Sequence, residues 1–341
     1  MTYASSAGVP AARAELNAHL ALWIMLTAVF LCGMACLWLA GLRADFESML
    51  LFVELITLSL LLAWMFRALG LAFPGSHMAF HATSRLQDFF LSVAQMLALF
   101  AVSALLIYLA ANAGARFPLR DDSLEAFDAL LGFDWHAVSR WLNSHPALDA
   151  FLLCFYNSFD IEILLVTVFG SIFRSGQRNS EFVAVFLTSI LIASVLFAFV
   201  PAMGMFGKAD VETLNRLLVI RAGNSVMDYN RTASIVSFPS YHAILAIILP
   251  YSVRHQCWSV APALLVNVVI LAATYPQGGH YLADILAGAA VATVSILVAR
   301  RCLPRCKFER EHAGRVAQFH TRIENLAAST RLPSTRRNWG R

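Results

Sequence analysis

The sequence predicts an all-α, polytopic bundle of about eight transmembrane helices with an interfacial helix on its extracytoplasmic side. Hydrophobic residues make up 59% of the 341 residues and charged residues only 13%, with a mean hydropathy of +0.66. A soluble core needs far less apolar surface than this. The apolar residues also form long runs separated by short polar or Pro/Gly-marked breaks. Because one crossing takes roughly 20 apolar residues, these runs predict membrane spans.

Eight runs are predicted as spans. The first follows a small-residue leader with one cation, Arg13, and it is longer than the apolar region of a signal peptide, so we expect it to be retained. The predicted spans cover about residues 19–42, 48–66, 89–111, 147–173, 182–206, 238–253, 258–275 and 280–299.

Positive charge predicts the orientation of this bundle. Arginines and a lysine accumulate after Ala299, in a tail that continues to Arg337. Positive-inside bias places residues 301–341 in the cytoplasm, as a basic tail that either anchors the topology or recruits anionic lipid, and leaves residues 1–300 as the transmembrane domain. With eight spans the N-terminus is also cytoplasmic. Residues 116–146, 207–237 and 276–279 are then extracytoplasmic.

The interfacial helix is predicted within the first of these outer segments. Residues 124–142 alternate apolar positions with Asp128, Asp134 and Arg140, and they carry Trp135 and Trp141. Amphipathic segments with tryptophan on the apolar side lie in the headgroup layer of a membrane. Such a helix is either a structural lid or a gate for substrate.

Two motifs place phosphate-competent side chains at predicted helix starts. Ser237-Phe238-Pro239-Ser240-Tyr241-His242 leads into the sixth span, and Pro239 suits a first helical turn, so Ser240 and His242 should lie in that turn. Tyr275-Pro276-Gln277-Gly278-Gly279-His280-Tyr281-Leu282-Ala283-Asp284 leads into the last span, with helix resuming near His280.

The spacing of His280 and Asp284 suits a nucleophile and its partner. Residues four apart share one face of a helix, within hydrogen-bonding reach. The carboxylate can accept the proton on one imidazole nitrogen and leave the lone pair of the other nitrogen free to attack.

Connectivity predicts that His242 and His280 lie at the same membrane depth. One inward span, a tight turn and one outward span separate them, so the chain returns to the face that it left. Both histidines are expected at helix N-termini, whose free N–H groups favour a phosphate between them. Arg221, in the preceding outer segment, is the expected cation of the site.

These motifs resemble a known family. Pro-Ser-x-His and His-x-x-x-Asp look like the second and third signature motifs of the type-2 phosphatidic acid phosphatase superfamily. The Phe-Pro-Ser-x-His, Gly-x-His-Tyr-x-x-Asp and Arg-Ala-Gly forms look most like the branch that contains inositol phosphorylceramide synthases, as does Leu130-Leu131-Gly132-Phe133-Asp134-Trp135 followed by His145-Pro146.

The resemblance implies roles for individual residues. His280 would take the phosphoryl group, Asp284 would orient it, and His242 would protonate the leaving oxygen. Ser240 and Arg221 would hold the phosphate oxygens. The catalytic core would then lie within residues 217–288. Neither a metal nor a cofactor is expected. A phosphohistidine would be resolved by water or by a second alcohol.

Further residues are expected to contact the substrate. Gly279 is a candidate phosphate contact, and Tyr241 and Tyr281 are candidate headgroup contacts. Asp160 and Glu162 lie inside the fourth span, where charged groups are expensive and tend to be functional or paired. These two acids would either bind the hydroxyls of an acceptor or pair with an arginine of the bundle.

Three functions follow from this pattern. The first is phosphotransfer from a phospholipid donor to an acceptor alcohol such as a ceramide, a diacylglycerol-type lipid or a polyol. The second, a lipid phosphate phosphatase, uses water at the same site. The third is a transporter or flippase whose pathway would be lined by intramembrane acids such as Glu54, although no inverted repeat is recognisable. We expect a bacterial inner membrane protein with its site on the extracytoplasmic side and no nucleic-acid partner; the sequence predicts no oligomeric state.

Overall fold

The computed structural model confirms the all-α prediction, since 84% of the residues that it describes are helical. It describes residues 8–73, 76–173, 176–205, 211–229, 235–254 and 257–302. The predicted basic tail, residues 301–341, lies outside the described residues except for Arg301 and Cys302, which end the last helix.

The described part of the chain contains twelve helices. In chain order they are α1 Gly8–Leu39, α2 Phe46–Ala72, α3 His77–Ala113, α4 Asp121–Leu130, α5 Trp135–Asn143, α6 Pro146–Tyr156, α7 Phe159–Phe173, α8 Gly176–Phe199, α9 Val211–Arg221, α10 Tyr241–Ser252, α11 Cys257–Gly278 and α12 Leu282–Cys302. A 3₁₀ turn covers Gly114–Arg116, and two-residue strands β1 (Arg43–Ala44) and β2 (Val226–Met227) pair in parallel.

Each predicted span corresponds to helical structure. Within the described residues, six helices are long and apolar enough to cross a membrane, and α6 and α7, which meet at 42°, give a seventh if the bent pair is one span. The remaining predicted span is α10, which is apolar but shorter, at 12 residues. These helices make the protein an integral membrane protein.

Helix α3 is the centre of the bundle. It packs against α1, α2, α7, α8 and α9. Its buried residues Leu105, Tyr108 and Ala111 belong to a core that also includes Phe197 of α8 and Leu217 of α9. Helix α2 instead exposes most of its apolar side chains, as expected of a lipid-facing span.

The predicted interfacial helix is two helices, because the chain turns sharply between α4 and α5. Gly132 adopts φ +80°, which is easily reached only by glycine, and Asp134 caps α5 by accepting a hydrogen bond from Ala137 N at 3.0 Å. Helix α5 contacts α6 and α11, and the Trp135 indole donates to the carbonyl of Tyr275 at 3.0 Å. The turn thus lets α4 and α5 pack against different parts of the bundle, with α4 on α12.

Candidate active site

The core of the site is a buried group of three polar side chains at the start of α12. His280 Nδ1 lies 3.2 Å from Asp284 Oδ2, and the Ser237 hydroxyl donates to the same carboxylate oxygen at 2.6 Å. The Ser237 oxygen is also 3.3 Å from His280 Nδ1. Asp284 is fully buried and His280 is 5% exposed, so the interaction is shielded from water. The predicted contact between His280 and Asp284 is present.

His280 reaches Asp284 from outside the helix, which differs from the predicted geometry. Helix α12 begins at Leu282, and Asp284 lies in its first turn. The carboxylate accepts from Tyr281 N at 3.0 Å, in the way that an acid at the third helical position caps a helix start. The same capping contact folds the chain back and brings His280 onto the carboxylate.

This arrangement selects the nitrogen available for chemistry. Because Nδ1 of His280 faces the Asp284 carboxylate, we assign its proton to Nδ1. The Nε2 atom then carries the lone pair, and an imidazole with one nitrogen held by a carboxylate is an activated nucleophile or base.

The second histidine lies beside the first. His242 is in the first turn of α10, and its ring centroid is 6.4 Å from that of His280. The His242 ring stacks on Tyr156 with centroids 3.9 Å apart and an angle of 17° between planes, and Phe159 meets it edge-on at 4.8 Å. Its Nε2 is buried without a hydrogen-bond partner among the described residues. The two imidazoles therefore lie side by side near the starts of α10 and α12.

Close packing of α10 against α12 creates this juxtaposition. Ser240 N donates to the carbonyl of Asp284 at 3.0 Å. A methyl group at Gly288 would lie 2.6 Å from the carbonyl oxygen of Ser240 and 2.9 Å from the Ala243 side chain. Only a residue without a side chain allows the start of α10 to approach α12 so closely.

Gly279 connects the site to residues 203–205. Gly279 adopts φ +58°, and its carbonyl accepts from Met205 N at 2.6 Å. A methyl group at Gly204, where φ is +75°, would lie 2.7 Å from both the Gly279 carbonyl and the Ser237 hydroxyl. The two glycines thus permit the chain before His280 to pack directly on this segment.

Two buried carboxylates of α4 hold the same region and were not predicted as site residues. Asp121 accepts from Met203 N at 3.0 Å, from Gly204 N at 2.9 Å and from the Tyr281 hydroxyl at 3.1 Å. Asp128 accepts from Leu282 N at 3.0 Å. Burial raises the pKa of Asp128, and burial followed by the charge of Asp121 raises the pKa of Tyr281, so Tyr281 remains a donor at alkaline pH.

The start of α12 is less open to an anion than the sequence suggested. Its first N–H groups donate to protein carboxylates, Tyr281 N to Asp284 and Leu282 N to Asp128. At α10 the Ser240 hydroxyl accepts from Ala243 N at 3.4 Å, so Ser240 is the helix cap. Protein acceptors thus take N–H groups that were expected to face a phosphate.

Arg221 makes its observed hydrogen bond to the backbone of another segment. Its Nη2 donates to the carbonyl of Phe117 at 2.6 Å, while Nη1 is buried without a hydrogen-bond partner among the described residues. Burial lowers the pKa of Arg221. One guanidinium nitrogen therefore remains available for a ligand, but the structure gives no contact between Arg221 and the histidines.

The predicted headgroup and acceptor contacts have different surroundings. Glu162 accepts from the Asn267 amide at 2.7 Å, so its partner is a neutral amide rather than an arginine. Asp160 is exposed in the first turn of α7. The Tyr241 hydroxyl is buried and faces Ser194 of α8, while Tyr281 is fully buried and bonds Asp121. Both tyrosines therefore have structural contacts.

The local sequence does not predict most of the additional contacts. Ser237 lies inside a motif that was recognised for other residues, so its proximity in sequence was a usable signal. Asp121 and Asp128 lie on α4 and Tyr156 lies on α6, and nothing in their local sequence predicts contact with Tyr281, Leu282 or His242. Among the described residues no group of three or more His, Cys, Asp or Glu side chains is arranged to hold a metal ion.

Comparison with known proteins supplies a family. A family model described as the PAP2 superfamily matches residues 122–298, which is more than half of the chain and includes α4 to α11 and most of α12. Comparison with curated proteins and with solved structures gives no match.

Proposed function

The chain belongs to the PAP2 superfamily, and from this premise we propose that it transfers a phosphate or phospho-headgroup from a phospholipid to an acceptor alcohol through a phosphohistidine. Membership supports a lipid phosphatase or phosphotransferase type of activity. The observation that carries the finer proposal is the pairing of His280 with Asp284, next to a second imidazole whose ring centroid is 6.4 Å away.

In the proposed first step, Nε2 of His280 attacks phosphorus. The N–P bond forms as the P–O bond to the leaving alcohol breaks, and a proton from His242 goes to the departing oxygen. Asp284 favours the positive charge that develops on the His280 ring, because its carboxylate lies against Nδ1. The buried Ser237 donor keeps that carboxylate in place.

In the second step, an alcohol or water attacks the phosphohistidine. His242, now neutral, takes the proton of the incoming hydroxyl, and the N–P bond breaks to restore His280. An incoming alcohol gives a transferase, and water gives a lipid phosphate phosphatase. The resemblance of the motifs to the inositol phosphorylceramide synthase branch favours an alcohol, with a ceramide, a diacylglycerol-type lipid or a polyol as the acceptor class.

Support differs among the proposed phosphate contacts. Gly279 immediately precedes the nucleophile and has its carbonyl bound to Met205, so only its N–H could face a ligand. Ser240 uses its oxygen as a helix cap but retains its hydroxyl proton for a phosphate oxygen. Arg221 offers its unpartnered Nη1. For Asp160 and Glu162, proximity of α7 to His242 through Phe159 supports an acceptor-facing role.

We also propose the topology that the sequence predicted. Both termini would be cytoplasmic and the two histidines extracytoplasmic, in a bacterial inner membrane. Single cysteines introduced at residue 122 and near the C-terminus, in a cysteine-free background, test this with a membrane-impermeant maleimide on intact spheroplasts. Labelling at residue 122 alone is expected, and the opposite pattern would reject the orientation.

Turnover measurements test the reaction itself. Purified protein in mixed micelles is incubated with a phospholipid labelled in its headgroup phosphate, with and without acceptor alcohols. We expect a new labelled phospholipid only when an acceptor is present, and free phosphate would indicate the phosphatase. His280→Ala should abolish both products while His136→Ala, at an exposed position of α5, retains them. Retained turnover in His280→Ala would remove this residue from the nucleophile role.

A further inference from the structure

Tyr156 is the last residue of α6 and lies at the bend between α6 and α7. Helix α6 ends at Tyr156, α7 starts at Phe159, and the two helices meet at 42°. The intervening residues close a turn, with the Ser158 hydroxyl donating to the Phe155 carbonyl at 2.7 Å. This bend puts one aromatic ring on each side of the break against His242.

The Tyr156 ring covers one face of His242. With the centroids 3.9 Å apart and the planes at 17°, the two rings are in parallel contact. Such stacking fixes the orientation of an imidazole without consuming either of its nitrogens. This stacking uses only the ring of Tyr156, and a phenylalanine at the same position would stack on His242 equally well.

The hydroxyl of Tyr156 has a separate location, next to His280. A methyl group placed on Gly278 would be 2.9 Å from the Tyr156 hydroxyl and also 2.6 Å from Cδ2 of the His280 ring. The hydroxyl and the catalytic imidazole are therefore neighbours across the bare α-carbon of Gly278. Cδ2 is bonded to Nε2, so the hydroxyl lies near the part of the His280 ring that includes the attacking nitrogen.

No other described residue receives or gives a hydrogen bond at this hydroxyl. The hydroxyl lies beside Gly278 and the His280 ring, while the Tyr156 ring itself stacks on His242. Tyr156 is half-buried, and its phenol O–H is a donor that takes an acceptor as its partner. A phosphoryl group bound for attack by His280 would supply one, because its equatorial oxygens are strong acceptors that gain charge in the transition state.

We propose that the Tyr156 hydroxyl donates a hydrogen bond to an equatorial oxygen of the phosphoryl group during transfer to His280, which makes Tyr156 a further catalytic residue. This role rests on the proposed phosphohistidine mechanism. It gives the site a neutral donor in a region where Arg221 is bound to the Phe117 carbonyl. Removing one such donor from a transition state costs about 10²-fold in rate in comparable sites.

The decisive comparison is Tyr156→Phe against the unmodified protein, with Tyr156→Leu as a second variant. Tyr156→Phe keeps the ring that stacks on His242 and deletes only the hydroxyl. We expect kcat to fall about 10- to 100-fold with little change in KM, because the bond matters most in the transition state. Tyr156→Leu should lose further activity, since it also removes the stacking. Tyr229→Phe, in a core away from the histidines, is the matched control and should retain full kcat.

Inhibition by vanadate provides a readout that a structural role would not move. Vanadate adopts the five-coordinate geometry of a phosphoryl group in transfer, so Tyr156→Phe should raise its inhibition constant by about the same factor as kcat falls. Wild-type kcat and unchanged vanadate inhibition in Tyr156→Phe would overturn the proposal. If His280→Ala is inactive in the same preparation, that result rejects only the role of Tyr156, whereas an active His280→Ala rejects the phosphohistidine mechanism itself.

Discussion

Replacing Asp121 by alanine should destabilise the protein substantially, because the carboxylate serves three donors at once. Met203 N and Gly204 N donate to it at 3.0 and 2.9 Å, and the Tyr281 hydroxyl donates at 3.1 Å. Asp121 is 5% exposed, and Tyr281 is fully buried, so water has limited access to replace the lost acceptor.

The magnitude follows from the groups left without a partner. An unsatisfied buried donor costs about 1–3 kcal/mol, so three donors, partly resolvated, correspond to about 4 kcal/mol of unfolding free energy. At about 2–4 °C per kcal/mol for a chain of this size class, the apparent Tm should fall by about 10 °C. Asp121→Asn should give a smaller decrease, because all three donors reach Oδ1, which the amide oxygen retains. Only the longer contact of Met203 N with Oδ2, at 3.2 Å, is replaced by an NH₂ group that cannot accept.

Thermal unfolding in detergent, followed by size-exclusion chromatography of heated samples, measures this change. Asp122→Ala is the matched control, because Asp122 is exposed in the same first turn and makes the same favourable interaction with the helix dipole. A Tm for Asp121→Ala within about 2 °C of that for Asp122→Ala would refute the claim that the three hydrogen bonds stabilise the fold.

Three further substitutions test other parts of the structure. Ser237→Ala removes the 2.6 Å hydrogen bond to Asp284 and should lower kcat about 10-fold without unfolding the protein, so unchanged turnover would contradict a role in holding the carboxylate. Asn267→Leu removes the amide bound to Glu162 inside the bundle and should lower the Tm. Adding Glu162→Gln should restore part of the lost Tm, and no restoration would mean that the loss does not come from an unpaired acid. Gly288→Ala inserts a methyl group 2.6 Å from the carbonyl preceding α10 and should lower both Tm and turnover, so a wild-type Tm would contradict the close helix contact.

The sequence by itself was sufficient for the class of fold and for the central pair of the site. Apolar runs of membrane-spanning length can be recognised without knowing which helices surround them, because the bilayer rather than a specific partner requires them. His280 and Asp284 are four residues apart, so local backbone geometry brings them together whichever helices surround them. The meeting of His242 with His280 was predictable for a related reason, since two adjacent spans must return the chain to one membrane face.

Only the tertiary structure decided which other side chains complete the site. Asp121 and Asp128 are 160 and 154 residues away from the groups that they accept from, Tyr281 and Leu282, and their local sequence indicates no more than a helix start. Tyr156 reaches His242 because α6 and α7 meet at 42°. Hydropathy alone does not show this break and predicts one continuous span. Hydrophobic patterning specifies which face of a helix avoids water, but hydrogen bonds and ring contacts between distant helices depend on how the bundle packs, and the packing was the part that the sequence left undetermined.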